Sequence, residues 1–333
     1  IICLFNFHCS HHKVTVLINA LHTFLFAFQI TAPIFVMLFL GLWLKKREMI
    51  DEGFIKTASQ LVYSLGLPVM LFITCATADT SHATDWRLLS AFAFMTGLVF
   101  IGSLLTAPRY CADKRDQGVL IQGAFRGNLV ILGLAFCANA YGEKGLALAS
   151  LPVAMTVVLY NVLSVYVLNR SLHHSGASLK PTLMGIAKNP LIIAIGSGFF
   201  VNTIDVKLPG VVLDSGKYLS QMVLPLALIC IGGSLGTARL TKIDPATLSA
   251  SIWKLILSPL IACAIAIALG LSGDPLGILF LLAASPTATI SFVMVQARNG
   301  NSALAARIVA HTTVWSLFSV TLGLWVLELM QLS

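Results

Sequence analysis

Two short stretches of this chain hold polar and helix-breaking residues where everything around them is apolar. The first reads Phe125-Arg126-Gly127-Asn128-Leu129-Val130-Ile131-Leu132-Gly133-Leu134, and the second Ala283-Ala284-Ser285-Pro286-Thr287-Ala288-Thr289-Ile290-Ser291-Phe292. At a spacing of 158 residues Asn128 falls on Pro286. Glycine adds backbone freedom, proline lacks an amide donor, and asparagine and serine bond to backbone groups that a helix break sets free. If both stretches break, half-helix ends meet in the middle of an apolar layer. Half-helix N-termini present unpaired N–H groups and the positive end of a dipole. The side chains of Asn128, Ser285 and Thr287 would complete an anion site by donating hydrogen bonds. The alternative is two kinked helices packed through small residues.

Arg126 stands two residues before Asn128. An ionisable residue in an apolar span is costly and marks a functional candidate. It either pairs with a carboxylate or extends back to the face where its span begins. The 13 acidic residues all fall outside the middle of the apolar runs. A carrier of cations normally keeps a buried carboxylate, so an anion fits better. His311 is either a proton carrier or a packing residue bonded to backbone. Tyr63, Tyr160, Asn161 and Gln221 either line a pocket or bond a neighbouring helix, and Tyr160 follows the first break. Metal-ligand spacings, glycine-rich phosphate loops and nucleophile elbows do not occur. Lys254 forms no nucleophile–base pair with the threonines near Pro286. The chain therefore does not read as an enzyme, and no cofactor is implied.

The elements that must position these residues are membrane helices. Apolar residues make up 57% of the chain and charged residues 10%, with a mean hydropathy of +0.90; a soluble domain carries about a quarter charged residues. Spans need about 20 apolar residues. Ten runs qualify, at roughly 23–44, 55–77, 88–107, 118–140, 146–168, 189–204, 217–237, 249–271, 276–296 and 304–329. The sixth is the shortest. Long runs without alternation exclude a barrel.

The runs repeat weakly. Pro33 matches Pro190, Gly41 matches Gly198, and Leu67-Pro68 matches Leu224-Pro225, each 157 residues on. Five spans per half is an odd number, so the second half enters from the opposite face. The expected fold is all-α and integral to the membrane: ten helices as a 5+5 inverted repeat, with helices 4 and 9 broken and crossing. The divisions are a leader of uncertain status (1–22, with His8, Cys9, His11 and His12), a first repeat (23–168), a short basic linker (169–188) and a second repeat (189–330). The net charge of +8 reflects topology rather than nucleic acid. Thirteen basic residues fall on one side, among them Lys45, Lys46 and Arg47, against Lys13, Arg87, Lys144, Lys207 and Lys217 on the other. The positive-inside rule places both termini outside.

On Gly127-Asn128, Gly133-Leu134, Tyr141-Gly142 and Ser285-Pro286-Thr287-Ala288, the sequence resembles the auxin efflux carrier family. That family includes bacterial carriers of malonate and related acids. Its fourth span typically reads Gly-Asn-Thr-Gly and ends Gly-Ile-Pro-Leu; here Leu129 replaces Thr and Ala135 replaces Pro. The resemblance implies a scaffold and a mobile transport domain, an elevator-like exchange of access, and a homodimer. It carries substrate contact over to Asn128 and Pro286, with Thr287 adjacent. No long central loop is present, as in bacterial members, which implies the bacterial inner (plasma) membrane.

The expectation is thus a secondary transporter of a small mono- or dicarboxylate, with a proton or sodium as coupling cation. Its site would comprise Arg126, Gly127, Asn128, Tyr160, Ser285, Pro286 and Thr287. The alternatives are a sodium-coupled carrier of the bile-acid type, or a receptor or channel.

Overall fold

The computed structural model describes residues 2–77, 85–172, 189–235 and 244–330, with side chains from Thr23 onward apart from residue 26. The leader's histidines and cysteine, most of the linker, and Arg239 and Lys242 lie outside the described side chains.

The described residues are helical. In chain order the helices are α1 (Ile2–Lys46), α2 (Glu52–Ala76), α3 (Trp86–Tyr110), α4 (Lys114–Phe125), α5 (Leu129–Leu172), α6 (Pro190–Thr203), α7 (Gly210–Leu235), α8 (Pro245–Ala268), α9 (Asp274–Ala284), α10 (Ile290–Gln296) and α11 (Ser302–Leu329). Polar residues set their starts. Asp51, Asp85, Asp113, Asn189, Asp244 and Asn301 each cap a helix by accepting a backbone N–H with the side chain, which satisfies an orphan donor of the first turn. Lys45 and Lys46 close α1, where the helix dipole favours cations.

Among the described residues, seven helices are long and apolar enough to cross a membrane: Thr23–Lys46 of α1, then α2, α3, α5, α7, α8 and α11. The helices α6 and α9 are apolar but shorter. Two expected spans are not continuous helices. Run 118–140 is divided between α4 and the start of α5, and run 276–296 between α9 and α10. Conversely, α5 joins the end of the fourth run to the whole fifth run. Within it Gly142 (φ 59, ψ −145) turns the chain through a conformation that a side chain would strain. Just beyond, Lys144 forms a 2.6 Å ion pair with Asp274 at the start of α9.

Two prolines sit after a widened turn. The π-turn Val62–Gly66 precedes Pro68, and the π-turn Trp253–Leu257 precedes Pro259. Proline cannot donate to the helix ladder, and a π-turn reroutes the freed carbonyl bonds without ending the helix.

The helices fall into two packed groups. In the first, α1 runs along α7 and α2 runs along α6 and α7. Three contacts there bring backbone onto backbone, one of them Gly232 against Leu38. A β-carbon on Gly41 would collide with the carbonyl of Ile229, and one on Gly198 would lie 2.7 Å from the carbonyl of Phe72. In the second group, α4 packs on α3, α5, α8 and α11, while α9 packs on α5, α8 and α11. Phe39, Leu105, Phe200, Leu260 and Phe318 are exposed on the outside, as an apolar solvent requires.

Candidate functional site

The two helix breaks meet. Arg126 (φ −85, ψ 94) and Asn128 (φ −81, ψ 65) leave the helical region at the end of α4, and Ser285 (φ −57, ψ 137) does so at the end of α9. Gly127 and Thr287 then form an antiparallel bridge. Asn128 N donates to Pro286 O at 2.7 Å, and Ala288 N donates to Arg126 O at 2.9 Å. These bonds satisfy amides and carbonyls that hydrocarbon cannot. Opposed residues in such a pair normally exchange both bonds. Pro286 has no N–H to return, so Asn128 O accepts from Gly133 N at 2.9 Å instead.

Behind the bridge the groups are committed. Ser285 Oγ donates to Leu282 O (2.7 Å) and Thr287 Oγ1 to Gly123 O (2.7 Å), while Thr287 N donates to Thr312 Oγ1 (3.1 Å). Lys254 Nζ donates to Ala283 O at 2.9 Å, and Ser258 Oγ reaches the same carbonyl at 3.3 Å. A β-carbon at position 127 would lie 2.8 Å from Ser285 Oγ and 2.9 Å from Lys254 Nζ, so those side chains would have to shift to admit one.

In front of the bridge lies a cavity of about 570 Å³ between the two helix groups. Arg126, Gly127, Asn128, Tyr160 and Asn161 line its deep end, and the first turn of α5 (Leu129, Val130, Ile131) forms one wall. Apolar side chains, including Val62, Leu67, Ile231 and Val309, supply most of the rest, and Glu52 and Leu235 stand at its outer limit. Glu52 pairs with Lys45 at 2.9 Å. Arg126 is 6% exposed. It does not extend back to the membrane face: its Nη1 donates to Ser164 Oγ at 3.0 Å and its Nη2 to Asn161 Oδ1 at 2.9 Å. Arg126 Nε and Asn128 Nδ2 are buried without a partner among the described residues, and the Tyr160 hydroxyl lies beside Thr96 and the Gly127 backbone. Tyr160 is fixed edge-on against Phe125, with ring centroids 5.6 Å apart.

The expected site residues therefore separate. Arg126, Gly127, Asn128 and Tyr160 come together on the cavity. Ser285 and Thr287 are buried behind it with their hydroxyls already donated to backbone carbonyls, and Pro286 contributes its carbonyl to the bridge. The expectation that these two hydroxyls point at an anion does not match this geometry; hydroxyls near helix ends bond to local carbonyls first. Of the lesser candidates, Tyr63 and Asn161 line the cavity, whereas Gln221 is exposed on α7 and does not. His311 pairs through Nδ1 with Ser251 Oγ at 2.8 Å rather than with backbone. Ser164 and the placement of Lys254 were missed by sequence reasoning. Ser164 had a signal, since Tyr160, Asn161 and Ser164 share one face at helical spacing.

Residues 26–324 match a family described as membrane transport protein. An uncharacterized transporter of Methanocaldococcus jannaschii is 25% identical over 305 residues, covering 88% of this chain and 96% of that protein. The uncharacterized transporter YfdV of Escherichia coli is 24% identical over 310 residues, covering 88% and 95%. A proposed malonate transporter of Rhizobium meliloti is 29% identical over 308 residues, covering 87% and 92%.

Proposed function

This chain belongs to the membrane transport protein family, the auxin efflux carriers, and from that premise we propose that it is a secondary transporter of a small organic anion. One observation carries the reading. Arg126, Asn128 and Tyr160, three hydrogen-bonding side chains of which the first two carry a nitrogen without a partner among the described residues, line one cavity between two helix groups. Buried polar atoms are seldom left unpaired, and a carboxylate would accept from all three. Arg126 supplies the charge, with its guanidinium already oriented by Ser164 and Asn161. Asn128 and Tyr160 supply neutral donors, and the opening N–H groups of α5 add the positive end of a dipole. Gly127 lets the bridge lie close, and Ser285, Pro286 and Thr287 hold it from behind. The apolar walls take the body of the substrate. A relative named for malonate transport is consistent with a carboxylate cargo.

In this reading the ten spans form a 5+5 inverted repeat across the bacterial inner membrane. The glycine contacts support it: Gly198 lies 157 residues after Gly41, and Ile229 lies 157 residues after Phe72, so these two backbone contacts exchange roles between halves. The group α1, α2, α6 and α7 acts as the scaffold. The other group carries the bridge and moves in an elevator-like exchange of access, in a homodimer with both termini outside.

Thermal-shift measurements on the purified protein with mono- and dicarboxylates test the site, because ligands that bind the folded state raise its melting point. Asn128→Ala should insert normally yet lose transport in proteoliposomes. Uptake by that variant at the parental rate would remove Asn128 from the site.

A further inference from the structure

The cavity opens towards one face of the protein. Glu52 and Leu235 stand at its mouth, and Lys45 reaches Glu52 there from the end of α1. The long helix α11 lines it with Ala306, Val309 and Ala310, all within its first three turns. Further along, α11 packs against α1. Thr321 comes nineteen residues after Ser302, about 28 Å along the helix. Thr31 comes fifteen residues before Lys46, about 22 Å from that end of α1. The two threonines therefore meet in the half of the apolar layer remote from the mouth.

That meeting joins the two helix groups by polar bonds. Thr31 Oγ1 and Thr321 Oγ1 lie 2.7 Å apart, and both residues are buried. Thr321 Oγ1 also donates to Leu317 O at 2.6 Å, which leaves Thr31 as the donor between them. Beside them Asn139 Nδ2, on the first limb of α5, donates to Ile30 O at 3.0 Å. Phe35 packs on Phe136, and Phe24 stands edge-on to Trp325, with ring centroids 6.5 and 6.0 Å apart. α1 belongs to one group, whereas α5 and α11 belong to the other, so these contacts must part if the groups slide past each other. A hydroxyl or amide parted in hydrocarbon finds no water, and bonds of this kind between membrane helices shift an equilibrium by about threefold each. In the proposed inverted repeat the positions 158 residues away are Ala297 for Asn139 and Leu163 for Thr321. Neither side chain can form a hydrogen bond, so the repeat supplies no matching pair for the opposite face.

We propose that Thr31, Thr321 and Asn139 form a latch between the two helix groups, sealing the face remote from the mouth and holding the unloaded protein with its cavity open on the side of Lys45 and Lys46. The proposal rests on the reading of the protein as a carrier whose two groups move. Access from the sealed face requires both bonds to break together, so the latch gives about a tenfold preference for the arrangement in which they are made. Because one half alone supplies the latch, the two access states are unequal before any cargo binds.

The test places a reporter under the latch. Ala27 is fully buried on the same face of α1 as Thr31, whose hydroxyl lies 3.2 Å from the Ala27 carbonyl. Ala27→Cys should therefore meet a water-soluble maleimide only when the seal opens. Labelling is followed on the full chain in lipid nanodiscs, and the signal of the native cysteines is subtracted with the protein that lacks the reporter. Adding Thr321→Val and Asn139→Leu together should speed labelling of the reporter by about tenfold, and Asn139→Leu alone by about threefold. Thr321→Ser keeps the hydroxyl and should leave the rate within about twofold of the reporter protein. Melting points within about 5 °C of the reporter protein separate a released latch from a damaged fold. Equal labelling with and without the paired substitutions would overturn the proposal, and so would Thr321→Ser labelling as fast as Thr321→Val. The measurement needs no cargo. Absence of carboxylate flux in proteoliposomes would therefore count against the carrier reading, while the labelling would still decide whether these bonds hold the seal.

Discussion

The two helix breaks touch, yet they are built for different work. The first, Arg126-Gly127-Asn128, faces the cavity and leaves donors unpaired. The second, Ser285-Pro286-Thr287, faces the interior and has its hydroxyls engaged, with Lys254 and Ser258 meeting the carbonyl that ends α9. A pair of segments at matching positions need not share a role. The missing N–H of Pro286 makes the difference visible at the backbone: Asn128 N bonds to Pro286 O and Pro286 returns nothing, so the bond back across the bridge comes from Ala288 N to Arg126 O. In the proposed function the first break holds the cargo, and the second keeps the first in place.

Changes on each side should break this division in different ways. The largest effect is expected at the shared residue. Gly127→Val would push a branched side chain into Ser285 Oγ and Lys254 Nζ, at a cost of about 3 kcal/mol or more from overpacking. Loss of folded protein in detergent, read by size exclusion, checks it; a well-folded variant would mean the bridge can open without penalty. Next comes the cargo side. Arg126→Gln removes a charge-assisted donor worth roughly 1.5–3 kcal/mol, so carboxylate affinity should fall about 10- to 100-fold. The melting point without ligand should change little, since Ser164 and Asn161 remain polar neighbours. Isothermal titration separates the two effects.

The supporting side should respond more weakly. Pro286→Ala restores an N–H opposite Asn128 O and makes the breaks more alike. Stability should stay within about 1 kcal/mol of the parent while transport slows, because the return bond competes with the Gly133 bond at the entry to α5. An unchanged rate would show that the asymmetry of the bridge is incidental.

The smallest effect lies at the helix ends, outside the spans. Burial alone would raise the Asp244 carboxyl, but the Thr247 bonds and Arg307, 2.7 Å away, outweigh it and hold its pKa below the ordinary carboxylate value. The stability this gives is present above the unfolded value of 3.8 and is lost as pH falls through the lower folded value. Being partly exposed, the pair should contribute about 1 kcal/mol or less. Melting points of Arg307→Ala and the parent should differ slightly at pH 7 and converge in acid.

Much of this arrangement was legible in the residues. Gly127-Asn128 and Ser285-Pro286 interrupt apolar runs, and no tertiary information is needed to see that a helix stops there. The destination of side chains was not legible. Arg126 had two reasonable directions, and the choice depends on Asn161 and Ser164, which sit 35 and 38 residues away on another helix. Ser285 and Thr287 looked like ligands because hydroxyls near a break are scarce in such a chain. Their nearest carbonyls, at Leu282 and Gly123, claimed them. Lys254 gave the weakest signal of all, since its partner is the end of a helix rather than a residue type. The short α9, only 11 residues long, is the first part of the ninth run, expected to be broken, whereas the kink at Gly142 that joins the fourth run to the fifth was not foreseen.

One residue, Gly142, bears on how the proposed carrier would move. It alone joins the two limbs of α5, and two residues later Lys144 is clasped to the start of α9. A one-residue joint with an ion pair beside it, the pair being partly exposed and worth about 1 kcal/mol or less, would couple a swing of either limb to its neighbour and to the start of the second interrupted helix. In the proposed carrier, release of a bound acid would then displace both limbs together, and stiffening or lengthening that single-residue joint should alter turnover without touching the pocket.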